Sequence, residues 1–388
     1  MHFPFLNEII VIFALSSVVL LVCHRIRLPT IVGFLLTGVL AGPHGFGLIE
    51  GIEEVEHLAE IGIVLLLFTI GLEMSLSTLL KSKRAVLLGG SLQVGLTVLA
   101  SSFLASHAEL TWQSALFIGF LVSLSSTAIV LKLMQDRAEI DSPQGRVILG
   151  ILIFQDIVAI PMMLLTPVLA GAQSGGDSHP LRFLALLVGI VLVTVAGARW
   201  LIPQALRYVA QTQNRELFLV SIVTVCFAVA WLTSSMGLSL ALGAFLAGLI
   251  VSESEYSHTA VSYTLPFRDI FSSFFFVSIG MLLDLGQLLE QPLLIGALTL
   301  GVLALKGAIA GTTTLVLGFP LRTAILAGLG LSQVGEFSFV LARGGIEHHL
   351  LSPQHYALFL AVSVLSMILT PLVMDFASRL AGTAERWP

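Results

Sequence analysis

The chain has 388 residues, of which 56% are hydrophobic and 11% charged, and it carries a net charge of −5. Soluble domains average about 25% charged residues, so too little polar surface remains here to cover a water-soluble globule. A mean hydropathy of +1.01 and 35 glycines fit a polytopic membrane protein, in which glycine lets helices approach closely. No basic stretch interleaved with aromatics occurs, which argues against nucleic acid as a ligand.

The first apolar run, Ile9 to Val22, is followed by Arg25 and Arg27 instead of being preceded by positive charge, and no small-residue cleavage site comes next. It reads as a membrane span with its N-terminus outside, not as a signal peptide. A bilayer core about 30 Å thick needs about 20 apolar residues per helix. Segments approaching that length centre near residues 14, 35, 66, 95, 122, 156, 190, 224, 245, 274, 304, 332 and 366. The chain therefore reads as an all-α membrane protein of about thirteen transmembrane helices, forming a single transmembrane domain over residues 1–388. Several spans contain Gly or Pro, so short or broken helices are expected among them. Cys23 and Cys226 lie at or inside apolar segments, outside any metal or redox motif, and read as small packing residues.

The distribution of Lys and Arg tests this count. With the N-terminus outside, the cytoplasmic loops and C-terminal tail hold Arg25, Arg27, Lys81, Lys83, Arg84, Lys132, Arg137, Arg146, Arg199, Arg207, Arg215, Arg268, Arg322, Arg379 and Arg386. The opposite side holds Arg182 and Arg343, and Lys306 falls within the eleventh span. Such asymmetry places the C-terminus in the cytoplasm, and the expected location is a cell inner (plasma) membrane. The segments Gly171 to Pro180 and Ser252 to Asp269 read as loops, the second cytoplasmic.

An odd number of spans permits six spans, a connector and six more in inverted orientation, a recurrent design of secondary transporters. The fifth span would then match the twelfth. Both carry a polar, weakly helical interruption: Ser123-Leu124-Ser125-Ser126-Thr127 in one and Ser332-Gln333-Val334-Gly335-Glu336 in the other. Paired interruptions of this kind point to a substrate site near the membrane midplane, where two broken helices cross.

Ionisable groups at membrane depth cost several kcal/mol each and demand a partner or a function. Three such charges occur: Asp156 in the sixth span, Lys306 in the eleventh and Glu336 in the twelfth. Asp156 follows Gln155, and the pair supplies hard oxygen ligands for a cation together with one titratable site. Pro161 is expected to kink the same helix and free a carbonyl. Lys306 reads as a fixed partner for Asp156 or for a helix end, or as a mobile, titrating partner. Glu336 reads as an ion ligand, or as a group that neutralises helix N-termini or anchors the crossing helices. Gln333 belongs to the same polar run. Ser125, Ser126 and Thr127 either bond back to their own helix or replace part of an ion's hydration shell. The expected occupant of this site is a monovalent cation at Asp156, in exchange for a proton.

No membrane-embedded His, HExxH sequence, Walker sequence or TVGYG-like filter is present, and Gly328-Leu329-Gly330 lies inside a span. Catalytic residues, an enzyme activity and a cofactor are accordingly not expected.

Five motifs together resemble the Kef-type branch of the monovalent cation:proton antiporter-2 family. They are Leu28–Pro43, Glu60–Glu73, Ser125-Ser126-Thr127-Ala128, Phe154-Gln155-Asp156 and Ser332–Phe337. The resemblance covers essentially the whole chain. It implies a sodium/proton antiporter-like fold and a homodimer, with a core of spans four to six and eleven to thirteen moving against a scaffold of spans one to three and eight to ten. It also implies that Asp156 binds cation and proton, with Gln155 adjusting selectivity towards potassium. Two departures stand out. Kef proteins carry a C-terminal nucleotide-binding domain, whereas this chain stops at Pro388, so it reads either as a member without that domain or as a truncated one. The Ser252–Asp269 segment lacks the family's tight acidic cluster, which puts gating by a glutathione-type ligand in doubt. The rival readings are a sodium/proton antiporter of the same fold, a ligand-gated potassium efflux channel, and a sodium-coupled symporter for a small organic anion.

Overall fold

The computed structural model describes residues 4–26, 28–49, 52–73, 84–108, 110–171, 189, 202–235, 240–252, 254–283 and 285–384. Among them the chain is helical, with no β-strand. The helices in the first part of the chain are α1 (Pro4–Arg25), α2 (Thr30–Ala41), α3 (Ile52–Glu73), α4 (Gly90–Ser106), α5 (Trp112–Ser123), α6 (Thr127–Asp136) and α7 (Pro143–Gly171). A π-helical turn, Arg84–Gly89, leads into α4. After it come α8 (Ile202–Gln211), α9 (Arg215–Ser235), α10 (Leu240–Ser252), α11 (Ser257–Met281), α12 (Leu285–Glu290), α13 (Pro292–Val316), α14 (Leu321–Gly330), α15 (Glu336–Glu347) and α16 (Pro353–Ala384).

Among the described residues, 8 helical segments are long and apolar enough to cross a membrane, one of them the interrupted stretch Trp112–Asp136. Thr30–Ala41, Leu240–Ser252 and Leu321–Gly330 are shorter apolar helices. Every expected span centre falls on a described helix or a break between two half-helices, apart from the one near residue 190. That span, like the expected loop after Gly171, lies outside the described residues.

One expectation is corrected. The segment Ser252–Asp269, read as a loop, is helical from Ser257 onward, and α11 runs through Pro266. Its polar residues mislead because they alternate with a buried stripe. Ala260 and Thr264 are one turn apart and enclosed, and the Thr264 hydroxyl donates to the Ala260 carbonyl at 2.7 Å. The helix α7 runs through Pro161 to Gly171.

The chain divides into two compact units, Met1–Glu50 with Leu79–Ala170 and Ile279–Pro388, and Gly51–Thr78 with Gly171–Ser278. In the second unit α3 lies against α10, and α9 against α10. A side chain at Gly71 would strike the Phe245 carbonyl, and one at Gly248 the Phe68 carbonyl. Two small residues face to face thus let these backbones touch, which supplies dispersion contact where lipid offers no hydrophobic drive between helices. Phe68, Phe218, Ile222 and Cys226 fill the adjoining core, where Cys226 is a free, buried thiol. In the first unit α1 lies on α2, α4 on α5, and α13 on α14. That unit contains Ser125, Ser126, Thr127, Gln155, Asp156, Lys306, Gln333 and Glu336.

Candidate functional site

The run of hydroxyls after Val122 offers the backbone alternatives to the helical ladder, and the helix stops there. Ser123 bonds back to the Phe120 carbonyl at 2.8 Å. Ser126 caps the next half-helix, its oxygen accepting from the Ile129 N–H at 3.2 Å. Between α14 and α15 the break is set by Ser332-Gln333-Val334-Gly335. Gly335 is required by proximity, because a Cβ there would stand 2.5 Å from the Ser125 carbonyl.

Helix ends leave backbone groups without partners, and at membrane depth each such group costs several kcal/mol. The two breaks resolve this by crossing. The Gly335 N–H donates to the Leu124 carbonyl at 3.1 Å, and the Ser125 hydroxyl donates to the Leu331 carbonyl at 2.8 Å. The Ser338 hydroxyl donates to the Leu121 carbonyl at 2.7 Å, and the Val334 N–H donates to the Ser366 hydroxyl at 3.1 Å.

Lys306 sits at the crossing, 0% exposed. Its ammonium donates to the Leu124 carbonyl at 2.6 Å and the Gln333 carbonyl at 2.7 Å. One cation thus caps a carbonyl from each break, where aligned peptide dipoles leave partial negative charge. Of the partners expected for Lys306, the hydrogen bonds described are to helix-end carbonyls. Glu336 is 6% exposed, and its Oε1 accepts from the Ala128 N–H at 3.4 Å. It therefore sets its carboxyl on the N-terminus of α6, where the dipole is positive. The Gln333 side chain is fully enclosed, and neither of its amide atoms has a hydrogen bond among the described residues.

Asp156 differs from both charges in being half-buried. The Thr127 hydroxyl lies 3.0 and 3.1 Å from its two carboxylate oxygens. Thr127 opens α6, so Asp156 also faces the positive end of a half-helix. Its neighbour Gln155 is buried, and its Oε1 accepts from the Ser125 N–H at 2.7 Å while its Nε2 donates to Gln93 Oε1 at 2.7 Å. Ser125, Ser126, Thr127, Gln155, Asp156, Lys306, Gln333 and Glu336 thus gather around one pair of breaks. Of the three hydroxyls expected near the ion, that of Thr127 touches Asp156, whereas those of Ser125 and Ser126 engage the backbone.

Gln93, Ser338 and Ser366 belong to this arrangement and carried no weight in the sequence. Gln93 had a usable signal, an amide in the middle of the apolar fourth span.

A polytopic helical protein with two crossed, interrupted helices pinned by buried charges has the architecture of a secondary transporter. The family model of the transmembrane sodium/hydrogen exchanger matches residues 10–376, and the chain belongs to that family. The Kef-type resemblance is also upheld. The chain is similar to the glutathione-regulated potassium-efflux system protein KefC of Salmonella typhimurium, 36% identical over 372 residues, covering 95% of this chain and 60% of that protein. KefC of Salmonella paratyphi B is 37% identical over 376 residues, with the same coverage. The chain thus spans 60% of the length of these curated relatives. Among solved structures it is similar to the sodium proton antiporter MjNhaP1 of Methanocaldococcus jannaschii, with a TM-score of 0.70 at 18% identity and 97% of each chain covered. That likeness shows the sodium/proton antiporter fold.

Proposed function

We propose that this chain exchanges a monovalent cation, potassium in preference to sodium, for protons at Asp156 by alternating access. The observation that carries the proposal is the contrast among the three deep charges. Lys306 and Glu336 are enclosed and bound to backbone groups, whereas Asp156 is partly open and bound to a hydroxyl. The enclosed pair holds the breaks together, and the open carboxylate is the group left to load and unload. Potassium is preferred because the KefC relatives are potassium-efflux proteins by name and because Gln155 adds no second charge. A strongly hydrated sodium ion would gain most from such a charge.

A proton and a dehydrated cation each neutralise Asp156 and cannot both occupy it. Only a neutralised site crosses a low-dielectric barrier easily, so one cation moves against one proton, electroneutrally, with Lys306 at constant charge. The core of spans four to six and eleven to thirteen would move against the remaining spans, in a homodimer in a cell inner membrane with its N-terminus outside. Transport, not bond chemistry, is the activity. Gating of the relatives by glutathione is not carried over to this chain.

The test is purified protein in sealed liposomes containing a pH-sensitive dye, challenged in turn with sodium, potassium, lithium and rubidium. Potassium and rubidium should drive proton movement that ignores an imposed membrane potential. Cation flux without proton movement would establish a channel, and a sodium optimum would overturn the substrate. Competition at one carboxylate sets the pH dependence. Apparent cation affinity should weaken by up to about ten-fold for each unit of falling pH on the acid side of the site's titration, while the rate at saturating cation changes far less. An affinity independent of pH removes the shared site.

Thr127→Val keeps the shape of the side chain and deletes the hydroxyl on Asp156. Losing a hydrogen bond to a charged group should weaken apparent potassium affinity by roughly ten-fold without unfolding the protein. The potassium dependence of exchange in the same liposomes measures it.

A further inference from the structure

We infer that Gln93 is a positioning and specificity-determining residue, which holds Gln155 in one orientation and keeps the site to a single carboxylate. The inference rests on the reading of Asp156 as the exchange site. It starts from a relay of amides that joins the two sides of the first break. The Ser125 N–H donates to Gln155 Oε1 at 2.7 Å, and Gln155 Nε2 donates to Gln93 Oε1 at 2.7 Å. Gln93 Nε2 then donates to Thr97 Oγ1 at 3.2 Å and to the Ser123 carbonyl at 3.4 Å. Gln93 is 0% and Gln155 1% exposed.

The direction of this relay is forced by its ends. A backbone N–H only donates, so the oxygen of Gln155 must face Ser125. A backbone carbonyl only accepts, so the nitrogen of Gln93 must face Ser123. The Thr97 hydroxyl spends its proton on the Gln93 carbonyl at 2.7 Å, so it offers Gln93 Nε2 only lone pairs. Between these fixed ends just one arrangement of the two amides satisfies every group.

The chemical consequence concerns charge. A carboxylate at position 155 would satisfy Ser125 but turn its second oxygen on the oxygen of Gln93. Gln93 cannot answer by flipping, because its oxygen would then face the Ser123 carbonyl. Gln93 therefore selects an amide over an acid beside Asp156, and with it a site bearing one negative charge. It also braces the backbone between Ser123 and Ser125, immediately before the Thr127 that touches Asp156. No part of Gln93 needs to contact the ion.

The experiment is a double-mutant cycle on the full chain in liposomes, with Gln93→Met, Gln155→Met and both together, reading KM and maximal rate for potassium and for sodium. Gln93→Met should raise the potassium KM by roughly ten-fold and narrow the potassium-to-sodium ratio, with a smaller change in maximal rate. The double variant should resemble Gln155→Met alone, because either change breaks the same relay. Independent action of the two, with fold-changes that multiply, would overturn the inference, as would an unchanged potassium KM in Gln93→Met. Thr97→Val provides a second route should Gln93→Met not fold. It removes the nearer of the two acceptors of Gln93 Nε2, loosens that amide without letting it flip, and should shift the selectivity ratio in the same direction, and an unshifted ratio counts against the relay. Asp156→Asn separates the two levels of the reading. Exchange retained in that variant removes the site itself, whereas exchange lost there together with multiplicative effects in the cycle removes only the role of Gln93.

Discussion

Asp156→Asn should reduce cation-dependent proton movement to the background of empty liposomes, while the protein still elutes as a single folded species. Asparagine has nearly the shape of aspartate, and its amide oxygen can still accept from the Thr127 hydroxyl, which lies 3.0 Å from Asp156. The breaks themselves do not depend on Asp156, since their described cross-links run through Lys306, Ser125, Ser338 and Gly335. What the variant loses is the charge that attracts a cation and the group that takes up a proton. Both substrates therefore fail together. Exchange near the wild-type rate would reassign the site, with Glu336 the next carboxylate to test.

Lys306→Met should have the largest effect on stability. It removes the donor from the Gln333 carbonyl and one of two donors from the Leu124 carbonyl, which keeps the Gly335 N–H, and a buried acceptor left without a partner costs about 1–3 kcal/mol. The desolvation cost of the ammonium is relieved at the same time, so a net loss of roughly 1–2 kcal/mol is expected. Thermal unfolding in detergent measures it, and exchange should be lost with it because the two half-helix pairs are no longer pinned. A second variant distinguishes the cap from a simple counter-charge. If Lys306 existed to balance Asp156, then Lys306→Met combined with Asp156→Asn would regain stability. If it caps the breaks, the double variant stays as unstable as Lys306→Met, and this is the expected outcome.

Much of this architecture was legible in the residues. The interruptions at Ser123–Thr127 and Ser332–Glu336 were visible as clusters of polar, weakly helical residues in otherwise apolar spans, and both are breaks in the structure. Asp156, Lys306 and Glu336 stood out because charge at membrane depth is costly. The partners of those charges were not legible. For Lys306 the residues leave Asp156 and a helix end both open, and its hydrogen bonds run to main-chain oxygens, which every residue possesses and no sequence pattern marks. Gln93 escaped because a neutral amide in a span costs less than a charge and so draws less notice. The helical course of Ser257–Asp269 was hidden by its polar residues, whose burial on one face depends on what packs there.

The sequence by itself determined that this chain spans a membrane many times, that two of its spans are interrupted, and which three charges lie deep. Those properties follow from local composition, because each segment must satisfy the low-dielectric membrane core on its own. Only the tertiary structure decided the division of labour. Crossing the breaks places carbonyl ends against Lys306 and a half-helix N-terminus against Glu336, and it leaves Asp156 half-buried beside Thr127. Which charge is enclosed and which stays accessible depends on contacts between residues as far apart as Ser125 and Leu331, and composition along the chain carries no record of such distances.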